Sequence, residues 1–343
     1  MRTVYSERHH HHHGTAELIG GTLQPCFEMP RRAEMILSRV REVGLGEVVA
    51  PSAFGLGPVR RVHDEGFVDF LATAWTDWTA LGRSHDALPL VWPVPSVRYD
   101  RVPEHIDGRL GYYSFDAGAP ITAGTWDAVQ GAADVALTGA EALAQGAAGV
   151  FALCRPPGHH ASAAAMGGYC YLNNAAISAQ YLRDHGCARV AILDVDYHHG
   201  NGTQQIFEAR ADVLFVSLHG DPSVAYPYFL GYGDERGSGP GEGATRNYPL
   251  PRGTSWAAYD AALTDACDSV AAWGPDAVVV SLGVDTYEHD PISHFRLTRD
   301  DFPRLGARIA ALGRPTLFVM EGGYAVDDLG INAVAVLTGF EAG

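Results

Sequence analysis

From residue 150 onward, short runs of aliphatic and β-branched residues recur at intervals that leave room for one helix between each pair. The runs are Val150 to Leu153, Ala188 to Leu193, Val213 to Leu218, Ala277 to Leu282 and Thr316 to Met320. Too short for buried helices and apolar on both sides, they read as strands covered on both faces. Between and around them Thr125 to Gln145, Asn173 to His185, Trp256 to Trp273 and Thr298 to Leu312 carry helical periodicity. Gly146, Gly186 and Gly313 are placed as stops, and Thr298 with Asp301 as a capping box. Strand and helix in strict alternation predict an α/β fold around a parallel sheet. We expect one domain over residues 1–343, with a proline-rich excursion at about 84–124 that breaks the pattern.

In such a sheet, ligands gather at the carboxyl ends of the strands. The polar residues are concentrated there: Cys154 to His160 after the first run, Asp194 to Gly202 after the second, Val284-Asp285 after the fourth and Glu321 to Tyr324 after the fifth. Alternation along an extended chain puts Asp194, Asp196 and His198 on one side. Adding Asp285 gives two carboxylates and an imidazole suited to Zn²⁺ or Fe²⁺, with a coordination position left for water. His159 and His160 sit in a Pro- and Gly-rich turn, where one imidazole can take a proton while the other stays cationic. Tyr324, after two glycines, is placed to donate to an oxyanion.

Composition narrows the function classes. The formal net charge of -16 disfavours a nucleic-acid backbone; it would draw in a cationic ligand, and equally serves solubility alone. No apolar run is long enough for a membrane span and the opening residues lack a signal-peptide core, so a cytoplasmic location is expected. Five scattered cysteines without a CxxC read as thiols rather than as disulfides or zinc ligands. The run His9 to His13 reads as native sequence able to bind adventitious metal.

The ordered motifs RPPGHH, GGYCYLNN, ILDVDYHHGNGTQ, SLHGDP, SLGVDTYEHDP and MEGGY resemble those of the histone deacetylase superfamily, and most nearly its bacterial acetylpolyamine amidohydrolases. The similarity extends through VYSERH, RRAEMIL, VHDEGFVDFL and the 84–124 insertion. It implies an arginase/deacetylase-like three-layer fold with a central parallel eight-stranded sheet. It further implies zinc on Asp196, His198 and Asp285, with His160 as general base toward the attacking water. His159 would be its electrostatic partner, oriented by Asp194, and Tyr324 would polarise the amide carbonyl. A structural K⁺ ion would be held by Asp194, Asp196, His198, Ser217 and Leu218. Tyr169 and Tyr226 align with the aromatic tunnel walls, flanked by Gly168 and Gly322. Asp107 and Asp116 would meet a distal ammonium, with Gly118 standing where relatives carry a second glutamate.

Asn201 departs from many relatives, which have aspartate there; it offers His160 a hydrogen bond without a charge. The resemblance implies hydrolysis of small cationic acetylated amines such as acetylputrescine and acetylcadaverine by a homodimer whose insertion narrows the mouth. Deacetylation of acetyl-lysine in proteins or peptides is the alternative. A two-manganese ureohydrolase would need further carboxylates where this chain has Gly322-Gly323-Tyr324. A binding module without activity would have lost a ligand, a histidine or the tyrosine, and all are present.

Overall fold

The computed structural model describes residues 1–343. Its strands, in chain order, are β1 (Arg2–Val4), β2 (Glu17–Ile19), β3 (Thr22–Gln24), β4 (Val48–Val49), β5 (Gly149–Ala152), β6 (Val190–Asp194), β7 (Val213–Gly220), β8 (Thr245–Leu250), β9 (Ala277–Leu282) and β10 (Thr316–Met320). The helices are α1 (Arg31–Val43), α2 (Glu65–Thr79), α3 (Ile106–Tyr112), α4 (Thr125–Ala144), α5 (Asn174–Asp184), α6 (Asn201–Phe207), α7 (Trp256–Trp273), α8 (Phe302–Ala310) and α9 (Val326–Ala342). Eight strands form one sheet in the order β4-β1-β5-β10-β9-β6-β7-β8, every pairing parallel. β2 and β3 make a separate antiparallel hairpin.

The sheet is the middle of three layers because its strands bury side chains alternately on two faces. Val150, Ala152, Val190, Ile192, Val279, Leu317 and Val319 face a core shared with α2, α3, α4 and α5. Phe151, Leu153, Ala191, Leu193, Val278, Val280, Phe318 and Met320 face a second core against α1, α7, α8 and α9. An eight-stranded parallel sheet with helices on both faces is the architecture the sequence predicted.

For the site, what matters is that β5, β10, β9 and β6 are consecutive neighbours. Parallel pairing sends all four carboxyl ends to one edge, so residues far apart in sequence meet there. Two local readings change. First, α8 starts at Phe302, four residues beyond the expected start. The Asp301 carboxylate accepts the Thr298 backbone N–H and hydroxyl, both at 2.8 Å, closing a turn ahead of the helix instead of its first turn. Second, Asp196 to His198 form a bend rather than an extended strand. The Asp194 carboxylate accepts the Asp196 N–H at 3.2 Å and the Asp196 carboxylate accepts the His198 N–H at 2.9 Å, replacing ladder bonds.

The 84–124 insertion contains α3 and is tied back by the pairing of Ala87 with Ile121. Its outer part exposes Leu90, Val91, Val94, Val97 and Tyr99.

Candidate active site

Asp196, His198 and Asp285 come together at the ends of β6 and β9, with ligand atoms all within 4.8 Å of one another. Asp196 and Asp285 are fully buried and His198 nearly so. His198 Nδ1 lies 2.9 Å from Asp285 Oδ2 and 3.2 Å from Asp196 Oδ1. Their outer bonds fix them: Asp285 accepts the Tyr197 N–H at 2.7 Å, and Asp196 accepts the Gly322 N–H at 2.8 Å. A side chain at Gly322 would stand 2.5 Å from an oxygen of each aspartate, so glycine is required for the fifth strand end to approach. Two buried carboxylates crowding one imidazole are poorly compensated without a cation. Burial first, then the Asp196 charge, pushes Asp285 up to about 7. The donor set fits a divalent ion with oxygen and nitrogen ligands.

His159 and His160 lie beside this cluster, their ring centroids 4.0 Å apart. Neighbours divide their roles. His159 Nδ1 is 3.0 Å from Asp194 Oδ2; burial opposes its charge, but Asp194 and then Asp196 override it and hold the imidazole at about 10. His160 is bonded through Nδ1 to Asn201 Oδ1 at 2.7 Å. Burial, then the charges of His159 and His198, keep it well below the usual histidine range. Adjacent imidazoles with opposed proton affinities are suited to serve as an acid and base pair. Asn201→Asp places a negative charge on His160 Nδ1, stabilising the imidazolium, so the base is lost at higher pH. The acidic limb of the kcat/KM profile then moves up by roughly one pH unit; a stationary limb contradicts the contact's role.

A cavity of about 540 Å³ opens above His160 and His198. Tyr324, Tyr169 and Tyr226 line it together with Trp92, Phe115 and Ile292. The Tyr169 and Tyr324 rings are 5.4 Å apart. Gly168 has φ 53°, and a side chain there would meet His160 at 2.5 Å and Tyr226 Oη at 2.7 Å. Tyr324 is buried, its N–H held by Asp290 Oδ2 at 2.7 Å, and the Arg32 guanidinium stands 4.8 Å from its ring centroid.

The two acids of the insertion part company. Asp116 lines the cavity but is committed within it, accepting from Tyr226 Oη at 2.6 Å, Gly118 N at 2.9 Å and Gly168 N at 3.1 Å. It braces the tunnel wall more than it offers a free charge. Asp107 is not among the lining residues; it pairs with Arg83, one bond measuring 3.0 Å. Within one chain the structure does not bring Asp107 to the site, because Arg83 already satisfies its charge. Of the residues named for a potassium ion, Asp194 lies opposite Ser217 across the β6–β7 pairing, with Leu218 next in β7.

Several site residues escaped the sequence reading. Glu17, from β2, lines the cavity while its Oε1 accepts the Phe27 N–H at 2.8 Å. Glu28 joins Arg155 through 2.7 and 2.9 Å bonds and Arg32 at 3.0 Å, all buried. Arg32 also donates to the carbonyls of Glu321 and Gly323 at 2.6 and 2.7 Å, holding the loop that carries Tyr324. Arg32 is a buried member of the first turn of α1, and nothing local in RRAEMIL marks it as facing inward.

This geometry is that of a metal-dependent deacetylase, an amide-cleaving hydrolase working at the strand ends of an α/β sheet. The chain belongs to the histone deacetylase family: residues 26–340 match the model described as histone deacetylase domain. It is 63% identical over 341 residues to acetylpolyamine amidohydrolase 2 of Pseudomonas aeruginosa strain PAO1, covering 99% of both chains. It is 51% identical over 339 residues to acetylpolyamine amidohydrolase of Mycoplana ramosa, again covering 99% of each. The crystal structure of acetylpolyamine aminohydrolase from Burkholderia pseudomallei superposes with a TM-score of 0.95 at 41% identity, covering 100% of this chain and 99% of that one. No helix of the structure is long and apolar enough to cross a membrane.

Proposed function

We propose that this enzyme hydrolyses small acetylated amines, acetylputrescine, acetylcadaverine or related acetylpolyamines, to acetate and the free amine. The observation that carries this reading is the cavity lined by Tyr169, Tyr226 and Phe115 that reaches His160, His198 and Tyr324. Asp196, His198 and Asp285 would hold a single zinc ion, or Fe²⁺ in its place, with a potassium ion held by Asp194, Asp196, His198, Ser217 and Leu218. The divalent ion, when bound, supplies Lewis acidity to the carbonyl and lowers the pKa of water.

This chain's own residues do the rest. Tyr226, Tyr169 and Phe115 confine a linear acyl-amine and exclude bulk water around the scissile bond. His160 Nε2, with Nδ1 held by Asn201, is the neutral acceptor for the proton of the attacking water. His159, cationic beside Asp194, stabilises negative charge developing at the floor and strengthens the site as proton donor to the leaving amine. Tyr324 Oη donates to the developing oxyanion. We assign substrate preference to a mouth narrowed by the insertion in a homodimer and to the chain's negative field, which draws a cationic amine. The apolar outer face of the insertion is consistent with its burial in a homodimer of single-domain subunits.

Relative kcat/KM values for N-acetylputrescine, N-acetylcadaverine and an acetyl-lysine peptide test the reading. The diamines are expected to lead by roughly tenfold or more, as a site that excludes bulk discriminates by more than 1 kcal/mol. Faster peptide cleavage would favour the protein-deacetylase alternative.

A further inference from the structure

Glu321 is the charged residue between β10 and Gly322, and no step above uses it. Its side chain is fully buried and lies outside the cavity lining, so it touches no substrate. The carboxylate turns beneath the end of β5: Oε2 accepts the Gly158 N–H at 2.6 Å and the His159 N–H at 3.1 Å. Oε1 has no partner and is buried. These two N–H groups belong to the turn that presents both imidazoles, and Glu321 is the acceptor the structure gives them.

The turn is otherwise held from its far side. Thr203 N donates to the His159 carbonyl at 3.2 Å, and Asp194 holds the His159 ring. A side chain at Gly158 would meet Asn174 N at 2.5 Å and Leu172 O at 2.7 Å, so the turn has no slack in that direction. Glu321 itself is anchored, its N–H donating to the Leu282 carbonyl at 3.0 Å and its carbonyl accepting from Arg32 at 2.6 Å. The one carboxylate therefore links the strand that carries Tyr324 to the turn that carries His159 and His160. By distance, Glu321, His159 and Cys170 could also pass for a metal trio, with ligand atoms within 4.8 Å. That use is disfavoured, since burial pushes the Cys170 thiol well above its ordinary range and Oε2 is already committed to two donors.

We propose that Glu321 is a positioning residue of the reaction: by accepting both N–H groups it sets the two imidazoles in register with Tyr324. This rests on the amidohydrolase reading of the site. A carboxylate spent on backbone donors in a dry interior is costly to bury, and burial does push Glu321 up to about 7. Its retention beside the base is then a matter of geometry, where a displacement of about 1 Å can cost 10²-fold in rate.

The test compares Glu321→Met, which keeps the volume and removes the acceptor, with Glu321→Gln, whose amide oxygen still accepts. Turnover is expressed per bound metal ion. Glu321→Met is expected to lose roughly 30-fold to 100-fold in kcat with KM little changed, and Glu321→Gln to recover to within about threefold of the wild-type chain. The ¹H–¹⁵N amide resonances of Gly158 and His159 should shift upfield in Glu321→Met and stay near their original positions in Glu321→Gln. A merely structural role would lower the melting temperature and leave kcat per bound ion unchanged. Full kcat in Glu321→Met, or equal losses in both variants, overturns the proposal. Should the Met variant not fold, Glu321→Ala gives the same comparison. If the wild-type chain hydrolyses no acetylated amine, the functional reading falls, and unmoved amide resonances would separately remove the contact.

Discussion

Replacing His198 by alanine abolishes ion binding and lowers amide hydrolysis roughly 10³-fold or more. The reason is the composition of the cluster. His198 is the neutralising member between Asp196 and Asp285, whose ligand atoms stand with its own inside 4.8 Å. Without the imidazole, two buried carboxylates face each other; Asp285, already pushed up to about 7 by burial and by Asp196, then holds its proton more tightly. A protonated carboxyl is a poor ligand, so the ion is lost as well as the geometry. Metal stoichiometry and acetate release on the same sample check this. A variant that keeps one equivalent of ion and normal turnover would remove His198 from the site.

Tyr324→Phe separates chemistry from assembly. We expect kcat to fall by about 10² to 10³, the cost of removing one oxyanion donor, with KM changed only a few-fold and metal content intact. Burial pushes the Tyr324 phenol well above its ordinary range, outweighing the opposing effect of Arg32, so the hydroxyl remains a donor at neutral pH. The ring is held by Arg32 on one side and Tyr169 on another, and a phenylalanine keeps those contacts. Undiminished kcat would show that the hydroxyl is not aimed at the reacting carbonyl.

The parts of this molecule that periodicity can register were readable before the fold was known. β9, β10 and α7 fall on the predicted residues because each is continuous and packed along its length, so hydrophobic pattern and structure coincide. β1 and β4 are three and two residues long near the sheet edge and carry little pattern to read. The meeting of Asp196, His198 and Asp285 was legible for a different reason: polar residues follow several buried strands, and parallel neighbours bring those strand ends together. The bend at Asp196 was not, since it depends on carboxylates capturing backbone donors rather than on residue spacing. Glu28 and Arg155 are 127 positions apart and pair only because the sheet order brings them together, which no local window contains. Asp107 shows the converse: an acidic residue in the expected place, whose charge is taken by Arg83. The one available sign for Glu321 was its position, a charged residue at the end of an apolar strand whose neighbours end in the polar residues of the candidate site.

The most direct measurement is acetate release from N-acetylputrescine by the chain stripped of metal and then reloaded with one equivalent of zinc. The stripped chain should be inert and the reloaded chain should turn over, with activity saturating at one ion per site. Equal rates before and after reloading, or no acetate from any acetylated diamine once the site is filled, would contradict the assignment.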